Sequence, residues 1–131
     1  MIGLLIVTHC DLGKELLKAA EFIVGRMDAV EVVSITQALK SEEIHKMIEE
    51  KISVLNQGKG VIILTDMFGG TPSNLSLSFL KDEMVEVLTG VNLPMVIAII
   101  QNRSDLELSE LAEKAQEAGK MSISLAGNLL K

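Results

Sequence analysis

The stretch GVIILTDMFGGTPSN, residues 60 to 74, passes from an apolar run through an aspartate into two glycines, a threonine and a proline. Its first part, GVIILTD, is typical of a central parallel strand that helices cover on both faces. Thr71 and Pro72 then predict a helix start, with Thr71 as the N-cap and Pro72 at the first helical position. The stretch therefore predicts a strand–loop–helix unit in which Asp66 stands where the strand ends.

Strand and helix patterns alternate along the rest of the chain. Apolar runs predict further strands at residues 2–8, 29–35 and 84–89, and the alternating segment MSISLA at 121–126 predicts a short last strand. Apolar residues at helical spacing, with cap candidates at Ser41, Asn92 and Ser104, indicate the helices. The predicted helices cover residues 13–26, 41–55, 71–80, 92–102 and 104–119.

This alternation predicts an α/β fold with a doubly wound, mostly parallel sheet flanked by helices. The flavodoxin-like strand order 2-1-3-4 makes the first and third strands neighbours, and the chain winds in opposite directions from them. Such a topological switch point is where ligands usually bind, outside the carboxyl ends of the strands.

Composition limits the class of protein. The chain has 131 residues, a formal charge of −6 and a pI of about 4.9, which argues against nucleic acid and anionic membranes as partners. Cys10 is the only cysteine, and the apolar start is too short for a signal sequence or a membrane span. We expect one domain over residues 1–131 and a cytoplasmic location.

Two residues with suitable chemistry stand at the predicted switch point. His9 follows the first strand and Asp66 ends the third, and neighbouring strands lie about 4.8 Å apart, so the side chains can meet. A carboxylate that accepts from one imidazole nitrogen leaves the other nitrogen free as a nucleophile. The backbone N–H groups around Gly69, Gly70 and Thr71, with the Thr71 hydroxyl, suit a phosphate. Together these residues point to phosphoryl transfer through a phosphohistidine.

Simpler explanations exist for the same residues. His9 can be structural or merely exposed, Asp66 can cap its own loop, and the glycines with Thr71 and Pro72 can form only a turn and a capped helix. Because neighbouring residues of an extended segment point to opposite faces, we expect Cys10 to be a free, nearly buried thiol rather than a partner of His9.

A second histidine, His45, lies among Glu43, Glu49 and Glu50 of the second predicted helix. Its neighbours indicate a solvated helix face, so we do not expect His45 to take part in the chemistry.

The order GLLIVTH, then GVIILTDMFGGTPSN, then EVLTGVNLPM resembles the IIA domain of the mannose family of the bacterial phosphoenolpyruvate:sugar phosphotransferase system. The resemblance covers essentially the whole chain. It implies that His9 accepts a phosphoryl group from the phosphocarrier protein HPr and passes it to a IIB domain for coupled sugar uptake. It further implies that Asp66 orients the His9 ring and that Thr71 with nearby amides holds the phosphate.

The same resemblance implies a homodimer in which a C-terminal strand, here MSISLA, crosses to the partner's sheet. Transfer then needs no metal or organic cofactor, and the chain reaches the membrane permease components only through IIB. One position departs from the family. Members commonly have H-G-x-x-A after the histidine, whereas this chain has H-C-D-L-G, so Cys10 replaces a glycine and Asp11 adds a negative charge.

Other functions remain open at this point. A IIA-like regulatory domain of a transcription regulator would use the same crevice for a signal, and the phosphotransfer subunit of a dihydroxyacetone kinase resembles this fold. The GGTPSN block favours the sugar-uptake branch. A hydrolase is the weakest alternative, because no serine or cysteine lies on a recognisable nucleophile elbow.

Overall fold

Four parallel strands form the central sheet of the computed structural model, which describes residues 1–81 and 83–130. The strands are β1 (Gly3–His9), β2 (Val30–Ile35), β3 (Val61–Thr65) and β4 (Val85–Thr89). Their order is β2-β1-β3-β4 and every pair is parallel, so the predicted strand order is confirmed.

Helices connect these strands and follow the last one. They are α1 (Leu12–Val24), α2 (Ser41–Leu55), α3 (Thr71–Leu77), α4 (Leu93–Asn102), α5 (Leu108–Met121) and the short α6 (Ala126–Leu129). No helix in residues 1–81 and 83–130 is long and apolar enough to cross a membrane.

Successive residues of β1 face opposite layers of helices. Leu4 and Ile6 belong to the core that α1, α4 and α5 cover, whereas Leu5 and Val7 belong to the core that α2 and α3 cover. Because side chains alternate along a strand, burial on both faces explains why the strands are apolar almost throughout. The helix after β1 and the helix after β3 thus lie on opposite faces, which makes the carboxyl ends of β1 and β3 the switch point.

Of three predicted helix caps, one is confirmed and two lie one residue away from the observed N-cap. Asn92 is the N-cap of α4 as predicted, and its side chain accepts a hydrogen bond from the Met95 backbone N–H at 3.1 Å. Ser41 and Thr71, by contrast, are the first helical residues, after Lys40 and Gly70 as N-caps. Helix α3 also ends at Leu77 rather than near Leu80.

The start of α5 differs most from the prediction. Ser104 is not its cap, because Glu107 and Glu110 form a capping box in which each side chain accepts a backbone N–H of the other residue. The two acidic residues satisfy unpaired N–H groups at the helix start more completely than one serine does.

The strand predicted over residues 121–126 is absent from the sheet of the single chain. Helix α5 extends through Met121 and α6 begins at Ala126, with an irregular segment between them. Alternating apolar residues form a strand only where they pair with a neighbouring strand, and this segment pairs with neither edge of its own sheet, β2 or β4.

Candidate functional site

His9 and Asp66 lie in contact at the switch point. His9 is the last residue of β1, and Asp66 follows Thr65, the last residue of β3. Asp66 Oδ2 accepts a hydrogen bond from the His9 backbone N–H at 2.9 Å and lies 2.8 Å from His9 Nδ1. The structure therefore brings together the two side chains that the sequence places at neighbouring strand ends.

This contact decides which ring nitrogen of His9 is free. An ionised carboxylate only accepts hydrogen bonds, so Nδ1 carries the proton and donates it to Asp66. In the neutral ring, Nε2 then carries the lone pair. The His9 side chain is 47% exposed whereas that of Asp66 is 11% exposed, so the imidazole faces solvent and the carboxylate lies beneath it.

The environment of Asp66 favours its ionised form. Burial raises the pKa of this carboxyl group, but the hydrogen bonds from the His9 backbone and ring and the charge of a protonated His9 outweigh burial, so the pKa lies below its ordinary value of 3.8. The Met67 backbone N–H also donates to Asp66 Oδ1 at 3.0 Å. Asp66 is therefore a carboxylate at neutral pH.

The glycines before α3 bring its first turn against the His9 ring. A side chain at Gly70 would place its Cβ 3.0 Å from His9 Cε1, which is tighter than ordinary packing allows. Gly69 has a φ of +84°, in the left-handed region that glycine adopts without a steric penalty. The absence of a side chain at Gly70 therefore leaves room beside the His9 ring, close to Nε2.

A cavity of about 390 Å³ opens beside the ring, and Thr71 lines it together with His9 and Cys10. Side chains of β2, of α2 and of the connection between them complete its wall, among them Ile35, Gln37 and Ile44. Of the predicted site residues, His9 and Thr71 thus line this cavity, while Asp66 and Gly70 lie against the His9 ring.

The prediction of a nearly buried Cys10 was wrong. Cys10 is exposed and has a φ of +52°, so the chain turns at this residue instead of continuing as an extended strand. The alternation that would separate His9 from Cys10 therefore ends at His9, and both residues line the same cavity. A non-glycine residue at positive φ is strained.

Two residues that support the His9 turn were missed by the sequence reasoning. The buried Thr8 hydroxyl accepts a hydrogen bond from the Gly13 backbone N–H at 2.9 Å, which ties the end of β1 to the start of α1. A Cβ at Gly13 would lie 3.0 Å from Ile6 Cγ2. A hydroxyl at a strand end followed by glycine in the next helix is a weak signal, because many unrelated loops share it.

The second histidine lies away from this site. The ring of His45 is partly buried and packs against the ring of Phe79, with centroids 4.5 Å apart. The prediction of a merely solvated position is therefore wrong, because the aromatic contact covers one side of the imidazole.

No group of three or more His, Cys, Asp and Glu side chains in the described part of the chain is placed to hold a metal ion. What the site offers is an exposed imidazole nitrogen, a carboxylate that fixes the opposite nitrogen, and open space in front of the ring. A doubly wound α/β protein with this pair at its switch point belongs to the class that can use histidine as a nucleophile.

Comparison with known proteins identifies the family. The protein-family model described as "PTS system fructose IIA component" matches residues 3–116 of this chain. The chain therefore belongs to this family of phosphotransferase system (PTS) IIA components, which are phosphotransfer proteins.

The PTS system mannose-specific EIIAB component of Escherichia coli strain K12 is 31% identical over 121 residues. That match covers 91% of this chain but only 38% of the length of the relative.

Two solved structures are similar over nearly their whole length. The PTS IIA protein associated with the fucose utilization operon from Streptococcus pneumoniae is 28% identical, with a TM-score of 0.84 over 98% of this chain and 96% of its own. The phosphotransferase system component EIIA from Streptococcus agalactiae has a TM-score of 0.89 at 24% identity, over 98% of this chain and 99% of its own, and supports the fold.

Proposed function

We propose that this chain is a phosphohistidine carrier, a phosphotransferase that accepts a phosphoryl group from phospho-HPr on His9 and passes it to a IIB domain for coupled sugar uptake. The observation that carries the proposal is the 2.8 Å contact between His9 Nδ1 and Asp66 Oδ2, which leaves Nε2 as the nucleophile. Membership in the PTS IIA family also supports a role in phosphoryl transfer.

The chemistry balances without a further reactant. The Nε2 lone pair of His9 attacks the phosphorus of the phosphohistidine of HPr, the P–N bond of the donor breaks, and the donor imidazole keeps that electron pair. As the new N–P bond forms, the His9 ring becomes more positive, and the carboxylate of Asp66 on Nδ1–H stabilises this charge. Transfer to the nucleophile of a IIB domain repeats the exchange, with the His9 ring now keeping the electron pair of the broken N–P bond.

Gly69, Gly70 and Thr71 form the proposed phosphate-binding segment. The support for this role is that Gly70 lies against the ring on the side of Nε2 and that Thr71 lines the cavity beside it. Backbone N–H groups and a hydroxyl are suitable donors for phosphoryl oxygens. Within this proposal residues 1–131 form one IIA domain, which acts in the cytoplasm and reaches the membrane permease components only through IIB.

We further propose a homodimer that exchanges its C-terminal segment. The apolar side chains of this segment are 69–86% exposed in the single chain, namely those of Met121, Ile123, Leu125, Leu129 and Leu130. Strand β4 is an edge of the sheet, and an edge strand offers free backbone groups for pairing. Sedimentation should give a dimer for the wild type and a monomer for Ile123→Glu with Leu125→Glu; a monomeric wild type would contradict this proposal.

The carrier function is tested by incubating the chain with phosphoenolpyruvate, enzyme I and HPr. We expect one acid-labile phosphoryl group per chain, lost in His9→Ala and retained in His45→Ala. These are the two histidines of the chain, so the pair is a matched control. Absence of phosphorylation in the folded wild type, or its loss only in His45→Ala, would overturn the proposal.

A second arm separates transport from regulation. Phosphorylated chain mixed with IIB domains of the mannose family should lose its label to IIB. A chain that is phosphorylated on His9 but passes the group to none of them would instead support the regulatory alternative.

A further inference from the structure

The hydroxyl of Ser73 is buried in the first turn of α3 and bridges the two residues that flank Asp66. Ser73 is fully buried, and its Oγ lies 2.5 Å from both the Met67 carbonyl oxygen and Thr65 Oγ1. Because a carbonyl only accepts, Ser73 Oγ–H donates to Met67. The Thr65 hydroxyl then donates to Ser73 Oγ, which makes a directed chain of two hydrogen bonds.

One end of this chain is fixed in the sheet. Thr65 is fully buried at the end of β3, and its carbonyl oxygen accepts a hydrogen bond from the Val91 backbone N–H at 2.9 Å. The other end is the loop that carries Asp66. The Ser73 hydroxyl therefore connects a rigid strand to the loop that follows it.

The backbone of Met67 is held by the hydrogen bond from Ser73, because the Met67 side chain is not packed in the core. The side chains of Met67 and Phe68 are exposed, with 56% and 75% of the two residues accessible to solvent. The Met67 N–H donates to Asp66 Oδ1 while its carbonyl oxygen accepts from Ser73, so this residue transmits the position of Ser73 to the carboxylate.

We infer that Ser73 is a positioning residue, which holds Asp66 in the orientation that fixes the proton on His9 Nδ1. Its importance for transfer rests on the proposed carrier function, whereas its effect on the ring does not. Among residues 1–81 and 83–130 the Ser73 hydroxyl bonds to Met67 and Thr65 and not to His9, so we assign its effect to the loop that carries Asp66.

The chain offers a matched control for the test. Ser76 is also fully buried in α3, but its Oγ has no hydrogen-bond partner among residues 1–81 and 83–130. Ser73→Ala and Ser76→Ala each remove one buried hydroxyl from the same helix, and only the first breaks the connection to Asp66. Thr65→Val removes the other hydroxyl of the two hydrogen bonds without changing the side-chain shape.

The first measurement is ¹⁵N NMR of the His9 ring in the unphosphorylated protein, at about pH 8.5 where an imidazole is neutral. We expect the wild type and Ser76→Ala to show the Nδ1–H tautomer, and Ser73→Ala and Thr65→Val to show a mixture with the Nε2–H tautomer. Folding of each variant is checked by circular dichroism and by the dispersion of its methyl signals.

The second measurement is the rate of phosphoryl transfer from phospho-HPr. Losing one hydrogen bond in a network should lower kcat about three- to tenfold in Ser73→Ala, with KM unchanged because Ser73 is buried. Because Thr65 and Ser73 act as one chain, their double variant should lose little more than either single variant.

The inference is overturned if folded Ser73→Ala keeps the pure Nδ1–H tautomer, or if Ser76→Ala shifts the ring signals equally. The tautomer measurement needs no phosphoryl donor. A wild type that shows the Nδ1–H ring but accepts no phosphoryl group would therefore refute the carrier function and leave the assignment of Ser73 standing.

Discussion

Replacing Asp66 by asparagine tests the centre of the proposed mechanism. Asn keeps the shape of the side chain but has one acceptor oxygen and one NH₂ group in place of two carboxylate oxygens. Asp66 Oδ2 faces two N–H groups of His9, and Oδ1 faces the Met67 N–H. Either orientation of the amide sets its NH₂ against an N–H donor, so the substitution disrupts this arrangement in both cases.

The expected magnitude follows from the bond to Nδ1. A hydrogen bond to a charged group is worth about 1.5–3 kcal/mol, and this one strengthens as the ring gains positive charge during attack. A tenfold change in rate corresponds to about 1.4 kcal/mol, so kcat should fall about 10- to 150-fold. The Asp66 side chain is only 11% exposed beneath the ring, so KM for phospho-HPr should change little.

The assay is single-turnover transfer of radioactive phosphate from phospho-HPr, measured by rapid quench. Asp11→Asn is the control for the loss of one negative charge near the site, because the Asp11 side chain is 68% exposed and lies 4.0 Å from Lys14 Nζ. We expect the rate of this control to stay within about threefold of the wild type, since exposed ion pairs contribute little. An unaltered rate in Asp66→Asn, or an equal loss in Asp11→Asn, would refute the role of Asp66.

Three further predictions address the same region. The stability that Asp66 adds through its lowered pKa is present above its ordinary pKa of 3.8 and is lost as pH falls through the pKa of the folded state. Urea unfolding from pH 7 to pH 3 should therefore show that the difference in unfolding free energy between wild type and Asp66→Asn becomes smaller in acid. A difference that grows in acid would contradict the ionised state of Asp66. Cys10→Gly should raise the unfolding free energy by about 0.5–1 kcal/mol. It relieves about 1–2 kcal/mol of backbone strain at the φ of +52°, which exceeds the stabilisation of the unfolded chain by the extra freedom of glycine. Cys10→Ala keeps the strain and should show no such gain in the same urea titration. Gly70→Ala should slow transfer about tenfold, because the added methyl group would press on His9 Cε1. The backbone conformation at residue 70 suits alanine, so the urea midpoint of unfolding of this variant should hardly change. A normal transfer rate would show that the ring has room to shift.

The sequence predicted the architecture well because the fold depends on burial. Strands β1 and β3 are apolar on both faces, and only a parallel sheet between two layers of helices buries such strands completely. Once alternation of strands and helices is given, right-handed connections leave few strand orders, and the observed order is the predicted one. The positions of His9 and Asp66 at neighbouring strand ends follow from the same argument.

Local features were harder to predict, because they depend on competition between nearby groups. Thr71 is a good N-cap in general, yet Gly70 occupies that position, with an extended backbone that places the first turn against His9. Ser104 was predicted to cap α5, but the capping box of Glu107 and Glu110 forms the helix start instead, again because neighbouring groups compete for the cap. The C-terminal segment 121–126 has the alternation of a strand, but a strand also needs pairing with a neighbour, and this segment does not pair with the edge strands of its own sheet.

The sequence by itself determined the doubly wound sheet and the edge at which the candidate site lies, since hydrophobic periodicity and strand ends can be read from the residues directly. Only the tertiary structure decided how the residues of the candidate site are arranged. The contact between His9 Nδ1 and Asp66 joins residues 57 positions apart, the turn at Cys10 brings its thiol to the same cavity, and Ser73 reaches back to both neighbours of Asp66. These arrangements require the distances between separate elements to be right within a few tenths of an ångström, and such distances are set by packing rather than by local pattern.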